Sequence, residues 1–227
     1  MRFGRAFAAI LRHGSNMAKS DTIPAPPAPR LYLLLPPPDG DAGRLVTLLR
    51  DIVAASDLAA VLVRPGEASA AALRELVAAC QQAGAACLID GNAAFAAATQ
   101  ADGVHAAGLA ALKAALTAVR PDGIAGVGDL RTKHDAMTAG ESGTDYVMFG
   151  EPDAQGRRPP FEATRERVQW WSDIFEIPCV AYARTLEEVD ILVAAGADFI
   201  AVDNLLIEAP AEGGRALASR LVPAGAA

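Results

Sequence analysis

The residues of this chain best suited to chemistry stand just after short apolar runs. Arg64 follows 59–63, Asp90 and Asn92 follow 85–89, and His105 closes 103–105. Gly128 and Asp129 follow 123–127, Glu151 follows 146–149 with Arg157 and Arg158 further along the same loop, Arg184 follows 179–182, and Asp203 and Asn204 follow 199–202. Guanidinium forks match the oxygens of phosphate groups. Each position also has an ordinary structural reading: Asp90 can cap the short helix that follows through Asn92, Arg157 and Arg158 beside Glu151 and Asp153 can be a solvated loop, Arg184 can pair with Asp203, and His105 can be a satisfied interior histidine. No Ser/His/Asp set, phosphate-binding Walker loop or dinucleotide glycine fingerprint is present. Lys113 and Lys133 lie on expected helices, so an aldolase or isomerase has no lysine after a strand for a Schiff base.

The elements that must position these groups follow from a phrase that occurs three times: Gln100-Ala101-Asp102-Gly103-Val104-His105, Gly143-Thr144-Asp145-Tyr146-Val147-Met148 and Gly196-Ala197-Asp198-Phe199-Ile200-Ala201. Each copy follows an Ala-rich helical stretch and leads into a short apolar segment, the pattern of a helix stopping at a tight loop before a buried parallel strand. The copies are spaced about two strand-plus-helix units apart. Strands are expected at 31–35, 59–63, 85–89, 103–105, 123–127, 146–149, 179–182 and 199–202, with helices at 41–55, 69–83, 93–99, 109–119 and 132–139 among those between them. Eight parallel strands predict a single (βα)8 TIM barrel over 30–221. Its site belongs at the carboxyl ends of the strands, where the residues named above fall, whereas Asp102, Asp145 and Asp198 precede their strands and are expected to bond loop amides.

Composition fits that class. The chain has 227 residues, enough for one substantial α/β domain; 52% are hydrophobic, and a formal net charge of −7 argues against a nucleic-acid surface while leaving room for a local phosphate pocket. Residues 1–29 read as a disordered basic and Pro-rich tail, too short in its apolar run for a membrane span, and 222–227 as a second tail. Cys80, Cys87 and Cys179 have no metal-ligand spacing and read as small buried thiols of a reduced, cytoplasmic protein. His134 reads as a helix-surface residue. Of Trp170 and Trp171, one is expected to pack on the barrel and the other to be partly buried or to mark a contact in a homo-oligomer.

The sequence Leu88-Ile89-Asp90, then Asp102-Gly103-Val104-His105, Gly126-Val127-Gly128, Tyr146-Val147-Met148-Phe149-Gly150, Ile177-Pro178-Cys179-Val180-Ala181 and Ala195-Gly196-Ala197-Asp198 resembles thiamine phosphate synthases and their TenI-like relatives over roughly 31–207. The resemblance implies a (βα)8 barrel that joins a hydroxymethylpyrimidine diphosphate to a thiazole phosphate and releases pyrophosphate. Such chemistry uses Mg²⁺ and basic groups to offset charge on the departing diphosphate.

Residue by residue, the resemblance implies Asp90 as catalytic group and metal ligand, Arg158 as catalytic, and Glu151 as a second metal ligand. It implies Arg64, Asn92, Gly128, Arg157, Arg184, Asp203 and Asn204 as substrate or phosphate contacts. The departures are concentrated at the mouth. An acidic family ligand after strand four is missing from His105-Ala106-Ala107-Gly108-Leu109-Ala110, and the diphosphate pattern after strand two is reduced to Arg64. The serine after strand five is Gly128, the loop lysine is replaced by arginine, and the phosphate-binding glycine pair after strand seven is Ala183-Arg184. The same departures suit a second reading, a barrel that binds a phosphorylated thiamine precursor as sensor or partner without turning it over.

Overall fold

The computed structural model describes residues 27–38, 42–153 and 155–221. Of the expected tails at 1–29 and 222–227, residues 1–26 and 222–227 lie outside the described residues. Eight parallel strands close into a barrel in sequence order: β1 (Arg30–Leu35), β2 (Leu58–Val63), β3 (Ala86–Asp90), β4 (Gly103–Ala107), β5 (Ile124–Gly128), β6 (Tyr146–Phe149), β7 (Cys179–Tyr182) and β8 (Phe199–Val202). The seam is β1 against β8, with Leu31 opposite Ile200 and Leu33 opposite Val202. The helices are α1 (Ala42–Ala55), α2 (Ala70–Gln82), α3 (Ala93–Thr99), α4 (Gly108–Val119), α5 (Lys133–Glu141), α6 (Phe161–Ser172), α7 (Leu186–Ala194), α8 (Asn204–Ile207) and α9 (Pro210–Ala218). None of the described helices is long and apolar enough to cross a membrane.

Near-continuous apolar strands are what a sheet covered on both faces requires. Alternate residues divide into two cores. Leu31, Leu33, Val61, Cys87, Val104, Val127, Val147 and Ile200 pack outward against helix residues such as Leu49, Leu73, Leu76 and Trp171. Tyr32, Leu34, Leu62, Leu88, Ile124, Tyr146, Met148, Tyr182 and Phe199 fill the interior. The interior along β5 is emptied for a neighbour: a Cβ on Gly126 would lie 2.0 Å from Cζ of Tyr146, so the tyrosine ring occupies the place of a β5 side chain.

The thrice-repeated phrase is a structural device. Its first residue takes a left-handed backbone in all three copies, with φ of 63° at Gln100, 85° at Gly143 and 88° at Gly196, which ends the preceding helix. Its aspartate then grips one residue of the preceding strand twice. Asp102 donates its N–H to the Cys87 carbonyl and accepts the Cys87 N–H on its carboxylate, both at 2.8 Å. Asp145 does the same to Ala125 at 2.8 and 2.7 Å, and Asp198 to Cys179 at 3.1 and 2.8 Å. These carboxylates register strand pairs at the end of the barrel opposite the site.

All three cysteines are buried and free. Trp171 is buried, donates its indole N–H to the Ile177 carbonyl at 2.6 Å and stacks on Phe175. Trp170 is half-buried, with the Lys133 ammonium 4.7 Å from its ring centroid. His134 is exposed on α5.

Candidate active site

A cavity of about 780 Å³ opens at the carboxyl ends of the strands. Its wall takes Arg64 from the end of β2, Asp90 from β3, His105 from β4, Gly128 and Asp129 from β5, and Glu151, Arg157 and Arg158 from the loop after β6. Asn92, Arg184, Asp203 and Asn204 do not line it.

The strand ends put Arg64 and Asp90 side by side on neighbouring strands. Arg64 Nε lies 3.4 Å from Asp90 Oδ2, and its Nη2 donates to the Pro152 carbonyl at 2.9 Å, tying β2 to the β6 loop. Asp90 does not cap α3. Asn92 does so itself, its Oδ1 accepting the N–H groups of Ala94 and Phe95 at 2.9 and 3.2 Å. Helix capping thus occupies the Asn92 oxygen, while Asp90 faces the cavity.

The end of β5 is closely filled. A Cβ on Gly128 would lie 2.1 Å from Glu151 Oε1 and 2.7 Å from His105 Nε2, so a carboxyl group delivered from β6 fills the space of a side chain on β5. Glu151 Oε1 accepts the Asp129 N–H at 2.5 Å, and Asp129 itself holds φ at 49°. Below it a buried chain of polar groups crosses the barrel: His105 Nδ1 lies 2.9 Å from the Tyr146 hydroxyl, which lies 2.8 Å from the Tyr32 hydroxyl. Burial pushes Glu151 up to about 7 despite the Asp129 amide, with the carboxylates of Asp129 and Asp90 adding to the rise. Burial also pushes His105 down to about 4, so its imidazole is neutral at pH 7.

The β6 loop is held by two ion pairs of different character. Arg157 is 76% exposed and folds back on Asp153, with Nη2–Oδ2 at 2.8 Å; amide and guanidinium donation hold the Asp153 carboxyl below its usual range. Arg158 is sunk into the structure, its fork spanning both oxygens of Glu188 in the first turn of α7, at 2.7 and 2.5 Å.

At β7 and β8 the expected Arg184–Asp203 pair is not formed. Asp203 accepts the Tyr182 hydroxyl on Oδ2 at 2.8 Å and the Asn204 N–H on Oδ1 at 2.6 Å, capping α8. Arg184 instead directs Nη2 to the Gly156 carbonyl at 3.4 Å. The backbone there is also engaged: the Arg184 N–H goes to Glu188 at 2.7 Å and the Ala183 N–H to Ala201 at 2.9 Å.

Asp90 and Glu151, the two carboxylates expected to hold a magnesium ion, share the cavity. Asp90 already faces a guanidinium, Glu151 is lodged over Gly128 with a raised affinity for protons, and among the described residues no three His, Cys, Asp or Glu side chains converge.

Beyond the residues marked in the sequence, Arg131 lines the cavity, while Tyr32 and Tyr146 stand behind His105 and Glu188 behind Arg158. Tyr32 and Tyr146 sit in apolar strands and pass for core. Period-2 alternation places them inward, which was the available signal. Glu188 belongs to a helix and carries no strand-end signature.

The family model for thiamine monophosphate synthase matches residues 31–205. The chain is 35% identical over 199 residues to the thiamine-phosphate synthase of Hyphomonas neptunium, covering 82% of this chain and 89% of that one. It is 37% identical over 180 residues to the thiamine-phosphate synthase of Rhodospirillum centenum, covering 76% and 86%. The fold superposes on thiamine phosphate pyrophosphorylase of Pyrococcus furiosus with a TM-score of 0.68 at 21% identity, over 85% of this chain and 95% of that one. A family-model match across the whole barrel and this degree of identity along its length make the chain a member of the thiamine monophosphate synthase family.

Proposed function

We propose that the protein is a cytoplasmic thiamine phosphate synthase that joins a hydroxymethylpyrimidine diphosphate to a thiazole phosphate. The observation that carries this reading is the convergence of four guanidinium groups on one cavity: Arg64 from β2, Arg131 after β5, and Arg157 and Arg158 after β6. In the reaction the bond between the pyrimidine methylene carbon and the diphosphate oxygen breaks, and pyrophosphate leaves with the bonding pair. The thiazole ring nitrogen donates its lone pair to the carbon to form the new C–N bond. Negative charge grows on the departing diphosphate, and cations fixed in a partly desolvated wall stabilise it more than they stabilise the bound substrate. Arg64, anchored to Pro152, and Arg157, exposed at the rim and paired with Asp153, are assigned that work. Arg158, fully engaged by Glu188, shapes the loop that carries Arg157. Three buried free thiols suit a reducing compartment.

Pyrophosphate release by the purified full chain with both phosphorylated precursors tests the reading, and turnover indistinguishable from a protein-free blank overturns it. The engaged amides at the ends of β7 and β8 favour one alternative, a barrel that binds a phosphorylated precursor without converting it. Calorimetric binding of the pyrimidine diphosphate without turnover selects that alternative.

A further inference from the structure

We propose that Glu151 is a specificity-determining residue of the cavity: lodged over Gly128, its carboxyl group pairs edge to edge with an aminopyrimidine, binding the ring nitrogen and the neighbouring exocyclic amine together. The inference rests on the synthase reading above and names the group that recognises its pyrimidine.

Gly128 lies at the end of β5, and the place its Cβ would take is filled by Glu151 Oε1 at 2.1 Å, with His105 Nε2 also close at 2.7 Å. The carboxyl is fixed in that gap by the Asp129 N–H at 2.5 Å. His105 is fixed in turn by the Tyr146 hydroxyl at 2.9 Å, and Tyr146 by Tyr32 at 2.8 Å. A carboxyl held by a backbone amide beside an imidazole that is itself fixed is pre-organised, and a ligand meets it without the cost of ordering a free side chain.

The chemistry then selects the ligand edge. Arg64, Arg131 and Arg157 line the same cavity and supply the positive charge that a diphosphate takes, which leaves Glu151 for the ring. The carboxyl group and a ring nitrogen beside it need only share one proton to close such a pair. A carboxylic acid offers one donor and one acceptor on adjacent atoms. An aminopyrimidine offers the complement: a ring nitrogen that accepts and an amine hydrogen that donates. Oε1 already accepts from Asp129, which leaves Oε2 to carry the acid proton to the ring nitrogen. Glutamine presents the same donor–acceptor pair, whereas alanine and leucine present neither.

The test compares the natural hydroxymethylpyrimidine diphosphate with its des-amino analogue on the full chain, by calorimetric binding and by pyrophosphate release with the thiazole phosphate. The wild type is expected to prefer the natural compound at least tenfold, because a site built for an N–H group rejects an analogue without it. Glu151→Gln is expected to keep most of that preference, and Glu151→Leu to bring it close to unity. Gly128→Ala, whose methyl group displaces the carboxyl, is expected to do the same while leaving Glu151 in the chain. Equal preference in the wild type and in both Glu151→Leu and Gly128→Ala overturns the inference. Discrimination in binding without turnover retains the inference and overturns the synthase reading; binding of neither pyrimidine by the wild type overturns both.

Discussion

Arg158 spans both carboxylate oxygens of Glu188, at 2.7 and 2.5 Å, and the same carboxylate accepts the Arg184 N–H at 2.7 Å. One glutamate on α7 therefore ties the loop after β6 to the loop after β7. The two side chains are 18% and 12% exposed, so removing either leaves a poorly solvated charge behind. Arg158→Ala and Glu188→Ala are each expected to lower unfolding free energy by about 2–3 kcal/mol. The double variant should cost less than the sum of the two. Urea denaturation of the four proteins in a double-mutant cycle measures the coupling, and additive losses would show that the pair contributes nothing of its own.

The Asp198–Cys179 clamp leads to a separation of stability from catalysis. Asp198→Ala leaves the Cys179 N–H without its carboxylate partner and is expected to cost about 1–2 kcal/mol. Asp198→Asn keeps an acceptor oxygen in place and should cost less. Because this aspartate lies at the opposite end of its strand from the cavity, KM for either substrate should be unchanged in both variants. A shift in KM without a shift in the denaturation midpoint would contradict the structural role.

Much of this arrangement was legible in the sequence because it follows from periodicity. The expected limits of β6, β7 and β8 coincide with the observed ones, and Gly196 and Asp198 mark the same helix stop and strand start in both. Strand ends at the mouth ran longer than expected: β4 continues through Ala106 and Ala107, because small residues after His105 still pair with Val127 and Gly128. Side-chain partnerships across loops were less legible. Arg184 and Asp203 look like natural partners in one dimension, but the Tyr182 hydroxyl and the Asn204 amide reach the carboxylate instead. Glu151 was recognisable as an acid near the mouth. Its lodging over Gly128 depends on how β5 and β6 lie side by side, which no local pattern encodes.

Asp90 offers a metal ion one carboxylate that already faces Arg64, and the residues after β4 supply none. Titration of Mg²⁺ into the protein without substrate is therefore expected to give no saturable heat at sub-millimolar concentrations. Adding the pyrimidine diphosphate supplies phosphate oxygens, the ligands that Mg²⁺ most often completes its shell with. Tight binding by the free protein would show that Asp90 exchanges Arg64 for the cation. Arg64→Ala sharpens the comparison, since removing the competing guanidinium should increase Mg²⁺ affinity if Asp90 is the ligand.

Glu151 and His105 make opposite contributions to the pH dependence of stability. Folding raises Glu151 from 4.5 to about 7, so its contribution is full below pH 4.5 and is lost as pH rises through 7. Folding lowers His105 from 6.5 to about 4, so its contribution is full above pH 6.5 and is lost as pH falls through 4. Between pH 4.5 and 6.5 the folded state holds one proton more at Glu151 and one fewer at His105, and the two slopes cancel. Glu151→Gln removes one side of that balance. Relative to wild type, the variant is expected to lose stability on going from pH 7 to 4.5, by an amount on the order of 2 kcal/mol. The groups facing Glu151, namely Asp129 and Asp90 with the imidazole of His105, are unchanged in the variant, so the difference between the two curves isolates the carboxyl. Urea midpoints measured at half-unit pH intervals provide the check. A difference that stays flat across this window would mean that Glu151 is ionised in the folded protein at pH values near its ordinary one.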